Sequence, residues 1–264
     1  MLSEPRAIFF ETVLEWPPFE VTQFRVTQSV ARDVYNRLFH VDFPHEAYKN
    51  LDLQADDLTL STKVEGDGYS KCRFGSASIA FEESNPNVTA DMFAAKVGAV
   101  LKEYAAACKA ANLQPPPVFF QKCRIRCLSQ PGFHESLNLL AGKIGHVIDR
   151  TVVFGRPPQY FGVRFRFPPV RMETDSGEPE EHENFSVIRF ETYSDDPKQI
   201  WMEIAATHFF RQPIDVCEEG ELRHISDRVS SSYKFLTDKC IAFLNQFDVP
   251  EQPDGGEQSN ANDH

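Results

Sequence analysis

Two long amphipathic segments, 88–111 and 221–247, constrain the fold of this 264-residue chain more than any other feature. In the first, Phe93, Val97, Leu101, Tyr104 and Cys108 fall on one stripe; in the second, Ile225, Val229, Tyr233, Leu236, Cys240, Phe243 and Phe247 do. A helix with a single apolar stripe must pack that stripe against another element. Each segment closes a run of two-residue alternation, the period of a half-buried strand, so the surface it covers is a sheet.

The first run begins with a strand over 7–15, where Ile8, Phe10, Thr12 and Leu14 share a face opposite Glu11 and Glu15. Trp16-Pro17-Pro18 ends it, because proline cannot donate to a ladder. Four-residue spacing of Val26, Val30, Val34 and Leu38 predicts a helix over 24–39, followed by an irregular stretch over 40–56. A hairpin over 57–82 turns at Gly66-Asp67-Gly68, with Gly75 marking a bulge or a break in its return arm. Asn87 or Thr89 can cap the helix that follows, and Pro115-Pro116-Pro117 forms a stiff connector after it. The second run repeats this order: a strand over 118–128, a helix over 134–147, strands over 160–167, 185–193 and 199–210, and the final helix. Two β-α-β-β-β-α halves, 1–114 and 118–248, therefore predict an α+β protein whose strands join into one curved antiparallel sheet, with the long helices on one face. Two separate sheets joined at the triple proline are the alternative. Residues 249–264 form a polar, acidic tail expected to be disordered.

Charge narrows the partners. The net charge is −12, but 171–183 holds six acids against one base and 250–264 holds four acids and no Lys or Arg. These two stretches carry −9, leaving a body near neutrality at −3. Nucleic-acid binders show the opposite balance, so nucleic acid is not the expected partner. No stretch approaches a membrane span, and Glu4, Glu11 and Glu15 interrupt the apolar N-terminus where a secretion signal would be continuous. The expected setting is a soluble, reducing cytoplasm, with the six cysteines as free thiols.

The strongest functional lead is a set of cations on predicted strands. Lys122, Arg124 and Arg126 alternate with Cys123, Ile125 and Cys127; Arg164 and Arg166 alternate with Phe161, Val163, Phe165 and Phe167; Arg189 lies between Ile188 and Phe190. If the apolar residues face the helices, the cations emerge together on the other face, with Tyr193 and Trp201 available for stacking. Guanidinium groups suit bidentate capture of phosphate or carboxylate. The competing reading is cross-strand ion pairing with Glu11, Glu15, Glu191 and Glu203, since an open antiparallel face is expected to be polar in any case.

Other motifs carry less. Cys123 and Cys127 lie roughly 13 Å apart on a strand, too far to share a tetrahedral metal. Cys72, Cys108, Cys217 and Cys240 stand singly in amphipathic patterns. The pairs His45-Glu46, His134-Glu135 and His182-Glu183 point apart on either a strand or a helix. His208 falls on the apolar side of its strand with Ile204 and Phe210, where a satisfied core histidine competes with a base or ligand. Gly66 to Lys71 lacks the helix and the spaced second glycine of a phosphate loop, and Gly75-Ser76-Ala77-Ser78 is no nucleophile elbow.

Pro5 to Phe10, Cys123 to Leu128 and the helix through Phe235-Leu236-Thr237 together resemble an uncharacterised bacterial family of about this length, which implies no activity. Cys127 and Leu128 depart from that family's polar and aromatic pattern. The element order also resembles the saddle of the TATA-box-binding protein, an architectural likeness that does not transfer function.

These readings lead to a non-enzymatic binding protein that holds an anionic small molecule or acidic peptide through Arg124, Arg126, Arg164, Arg166, Arg189, Tyr193 and Trp201. No cofactor or metal is expected. An enzyme acting on a phosphorylated or carboxylated small molecule in a cavity between sheet and helices is the alternative, and a purely structural partner in an assembly is the third. Uncovered sheet edges make a homodimer an expectation as well.

Overall fold

Strand β1 (Arg6–Glu15) occupies the middle of the sheet because its alternation suits burial on one side and charge on the other. The computed structural model describes residues 1–17, 28–41, 47–53, 58–64, 67–84, 87–146, 158–167, 171–173, 179–181 and 185–251. After β1 come α1 (Gln28–Leu38), β2 (Asn50–Leu53), β3 (Leu58–Lys63), β4 (Tyr69–Phe74), β5 (Ser78–Ser84) and α2 (Ala90–Ala110). Next are β6 (Val118–Ser129), a π-helical turn (Asn138–Ile144), β7 (Gly162–Phe167) and a separate small hairpin of β8 (Arg171–Glu173) and β9 (Pro179–Glu181). The chain continues through β10 (Phe185–Thr192), β11 (Ile200–Ile214) and α3 (Glu219–Lys234), which runs on through a π-helical segment (Phe235–Cys240) into α4 (Ile241–Asn245).

Nine strands form one antiparallel sheet in the order β2-β3-β4-β5-β1-β6-β11-β10-β7. The separate-sheets alternative is thereby set aside. The first strands of the two halves, β1 and β6, pair with each other at the centre, with Phe10 opposite Ile125 and Glu11 opposite Arg124. Each is flanked by the strand that precedes a long helix: β5 beside β1, and β11 beside β6. A β-bulge between Ala7 and Phe9 sets Ala7 opposite Cys127 and Phe9 opposite Arg126, so Ile8 leaves the alternation expected of it.

Both long helices, α2 and the one running from α3 into α4, cover the same face. Phe10 stacks on Phe93 of α2 at 5.3 Å and meets Tyr233 of α3 at 5.9 Å; Phe74 meets Tyr104 at 5.3 Å; Phe190 stacks on Phe243 at 6.0 Å. Ring pairs of this kind add to the area they bury. The predicted α2 stripe is buried throughout. Thr89 rather than Asn87 caps that helix, its hydroxyl accepting from Met92 N at 3.2 Å. At the other end Asn112 takes a left-handed φ of 54°, and N–H groups of Asn112 and Leu113 reach back to Lys109 O and Cys108 O, closing the helix before the prolines.

The second long helix departs from a plain α-helix for a visible reason. Its buried positions Ser232, Leu236, Cys240 and Leu244 are four apart, a spacing that drifts around an α-helix of 3.6 residues per turn. The wider π-helical turn over Phe235–Cys240 keeps them aligned on the sheet. Leu244 takes the fully buried place, and Phe243 and Phe247 lie half-buried.

Several sequence expectations need correction. The stretch over 40–56 is not wholly irregular, because β2 adds an edge strand against β3. The return arm over 69–82 is two strands, as one of the two readings had it, but Gly75 between them marks a turn rather than a bulge, its N–H donating to Ser78 O at 2.8 Å. The helix expected over 134–147 shrinks to Ser136–Ile144, mostly π-helical, with Leu139, Leu140 and Ala141 buried. The tail after Glu251 and most of the acidic stretch 171–183 lie outside the described residues.

Asp248 holds the entry to that short helix. Its buried carboxylate accepts from the N–H groups of Gly132, Phe133 and His134 and pairs with the Met1 ammonium at 3.2 Å. Burial alone would raise this carboxyl, but the Gly132 and Phe133 donors and the ammonium together hold it below its ordinary value. Replacing Asp248 with Asn should cost about 2 kcal/mol. Amide exchange at 132–134 should accelerate, as hydrogen-exchange NMR can check; unchanged protection there would show the loop is held by other contacts.

Candidate functional site

On the face opposite the helices, strand register places the predicted cations in two adjacent rows. One reads Phe9, Arg126, Glu203, Arg189, Arg164 across β1, β6, β11, β10 and β7. The other reads Glu11, Arg124, Ala205, Val187, Arg166. The alternation therefore delivers all five arginines to one face. Lys122 joins them one pair further along, beside Thr207.

Most of these cations are neutralised within the sheet. The Glu203 carboxylate is only 5 % exposed and accepts from Arg126 Nε at 2.8 Å, with Arg189 at 3.5 Å and Arg124 at 3.9 Å. Arg124 also pairs with Glu11 at 3.1 Å, Lys122 with Glu15 at 2.7 Å, and Arg189 with Glu191 two residues along its own strand. The four acids weighed as neutralising partners all act as such. Burial raises the Glu11 carboxyl, as does neighbouring Glu82, while Arg124 lowers it; the net shift is upward.

Arg164 is different. It lies exposed, directly across from Arg189, and its guanidinium has no ion-pair or hydrogen-bond partner among the described residues. Like charges on directly opposed strand positions repel, and among the described residues no acid on the β7 side offsets this pair. The two arginines border a recess of about 700 Å³, lined also by Tyr160, Gly162, Glu191, Tyr193 and Trp201. Trp201 lies 5.3 Å from the Arg189 guanidinium and 5.7 Å from that of Arg126, which in turn covers the Phe9 ring at 4.6 Å. The Tyr193 hydroxyl donates to Asp195 at 2.9 Å, and that bond is the main reason its pKa is raised. Gly162 permits the close approach of β7 and β10, since a Cβ there would come within 2.7 Å of Glu191 Cγ.

The structure thus gathers Arg164, Arg189, Tyr193 and Trp201 around one recess and leaves Arg124 and Arg126 tied to Glu11 and Glu203 away from it. Arg166 lies on the same face one row over. Sequence reasoning missed Tyr160 and Gly162. A glycine inside an otherwise clear strand is a signal of close approach, and it was present at 162.

On the helix side, Cys123 and Cys127 are buried single thiols, pushed up by burial to about 11 and about 12, so neither is a ready nucleophile. No group of three His, Cys, Asp or Glu side chains among the described residues could hold a metal. No described helix is long and apolar enough to cross a membrane. His208 is buried under α3, and neither ring nitrogen has a hydrogen-bond partner among the described residues. Burial, and secondly Arg228, lower its pKa to about 4.

No family model matches the chain, and no curated protein or solved structure matches it either. The two resemblances therefore rest on element order and short segments alone.

Two outcomes follow from these environments. Glu203→Gln should destabilise the fold by about 3 kcal/mol, because three guanidinium groups lose a shared buried counter-charge. Urea denaturation measures this, and a loss below about 1 kcal/mol would show that the neighbouring acids suffice. For His208, the unfolded chain takes up a proton near 6.5 and the folded chain only near 4. Its contribution is complete above about 6.5 and is lost as pH falls toward 4. His208→Leu should therefore flatten the stability–pH profile in that window, read from thermal melts across it.

Proposed function

We propose that this chain is a non-enzymatic binding protein that holds an anionic group in the recess between β7 and the β10–β11 turn. The observation carrying this reading is the Arg164–Arg189 pair: two opposed guanidinium groups of which, among the described residues, only Arg189 has acids beside it. A phosphate or carboxylate bridging them supplies the missing charge, with bidentate geometry available from either arginine. Trp201, Tyr193 and Tyr160 provide aromatic surface for the remainder of the ligand. Arg124 and Arg126 act at one remove, by sharing Glu203 with Arg189 and setting the charge of the row. We also read the mirrored strand order about β1 and β6 as an internal duplication of one β-α-β-β-β-α unit, with edge strand β2 an addition to the first copy.

Inorganic pyrophosphate is a suitable first probe. Calorimetric titration should show saturable binding that weakens at least about tenfold in Arg164→Ala, a loss of about 1.4 kcal/mol. Arg164 is exposed and bridges nothing among the described residues, so the variant should keep wild-type stability. Equal affinity in the variant, or no binding by the parent, overturns the reading.

A further inference from the structure

Strand β7 ends the sheet, and no strand pairs with its outer side among the described residues. Its hydrogen-bond phase is set by Thr192 N donating to Phe161 O at 3.0 Å. In antiparallel pairing, alternate residues turn their backbone groups to the same neighbour. Residues 161, 163, 165 and 167 therefore face β10, and the N–H and C=O groups of Gly162 and Arg164 point outward. Those outward groups belong to residues that also line the arginine-bordered recess.

The other face of the same strand is apolar and incompletely covered. Phe165 and Phe167, with Ile188, Phe190, Phe235 and Phe243, enclose a groove of about 320 Å³ between β7 and the end of α3, with Lys239 at its rim. Phe167 is 43 % exposed and Phe235 is 40 % exposed, two of the few large hydrophobic side chains left to solvent. One edge thus offers three complementary features: backbone groups to pair, a cation on one side and an aromatic groove on the other.

We infer that β7 accepts an extended acidic segment of a partner protein as a tenth strand. This rests on the anion reading above and assigns its source: a carboxylate carried on a polypeptide. On the partner strand, residues on the open side are acidic and meet Arg164; residues on the helix side are aliphatic or aromatic and enter the Phe165–Phe235 groove. Main-chain pairing supplies affinity and the alternate side chains supply specificity. A second copy of this chain fits poorly, because pairing β7 with itself brings arginines of both copies together on one face. Charge on an edge strand usually discourages pairing with other chains; here the same charge selects a partner of opposite sign.

The test uses a dye-labelled, terminally blocked peptide of alternating valine and glutamate with the full-length protein, read by fluorescence anisotropy. Saturable binding is expected. A valine–lysine peptide, and a valine–glutamate peptide N-methylated along its pairing edge, should each bind at least about tenfold more weakly. Phe235→Ser should weaken the peptide at least about threefold while leaving pyrophosphate binding unchanged. Pyrophosphate binding without peptide binding overturns strand addition and leaves the anion site standing; so does peptide binding indifferent to N-methylation. Failure of both probes overturns both readings.

Discussion

The backbone ladder between β1 and β6 is the contact on which the rest of the molecule depends. It joins the two halves through paired residues from Arg6–Leu128 to Glu15–Phe120 and fixes the phase of every strand outside it. Since side chains alternate with period two, a slip of one residue here would set Phe10 opposite Arg124 or Arg126, turning either Phe10 toward solvent or the arginines into the helices. Full burial of a Phe or Ile contributes about 1.5–3 kcal/mol, and burying an unpaired charge costs more, so the register has no near competitor. The bulge at Ile8 shows the ladder adjusting only near the end of β1.

From that register the two faces acquire different chemistry. The helix side is a continuous apolar layer in which polar groups are few and mostly paired, as where Lys96 reaches Ser70 at 2.6 Å and Glu83 at 3.3 Å. The opposite side is a mesh of arginines and glutamates organised around Glu203. One buried carboxylate shared among three guanidinium groups ties down Arg124 and Arg126 and holds Arg189 in place at the border of the recess. Among the described residues the mesh runs out at the sheet edge, where β7 contributes arginine but no acid, beside the recess that Arg164 and Arg189 border.

Much of this was legible beforehand. The amphipathic stripes named both long helices and, for α2, a stripe that is buried throughout, but for the second helix they missed Ser232 and Leu244 and included the half-buried Tyr233, Phe243 and Phe247; the alternation in 118–128, 160–167 and 185–193 named both strands and faces. The short edge strand β2 was not, because Asn50 to Leu53 carries too few residues for a period to show. The helix after β6 was overestimated: its apolar spacing is helical, yet only Leu139, Leu140 and Ala141 find a surface to bury against.

Composition and period alone determined that this chain pairs alternating strands under two long helices, and that its arginines share a side. They did so because side-chain direction in a strand depends on nothing beyond the neighbouring residue. Which arginine lacks a partner among the described residues could come only from the tertiary structure. Strand order decides whether a cation stands across from Glu203 or from another cation, and Glu203 and Arg164 are brought near Arg189 by pairings between segments distant in sequence. Ion pairing is a property of that proximity, so two residues of identical type and pattern, Arg126 and Arg164, end in opposite states.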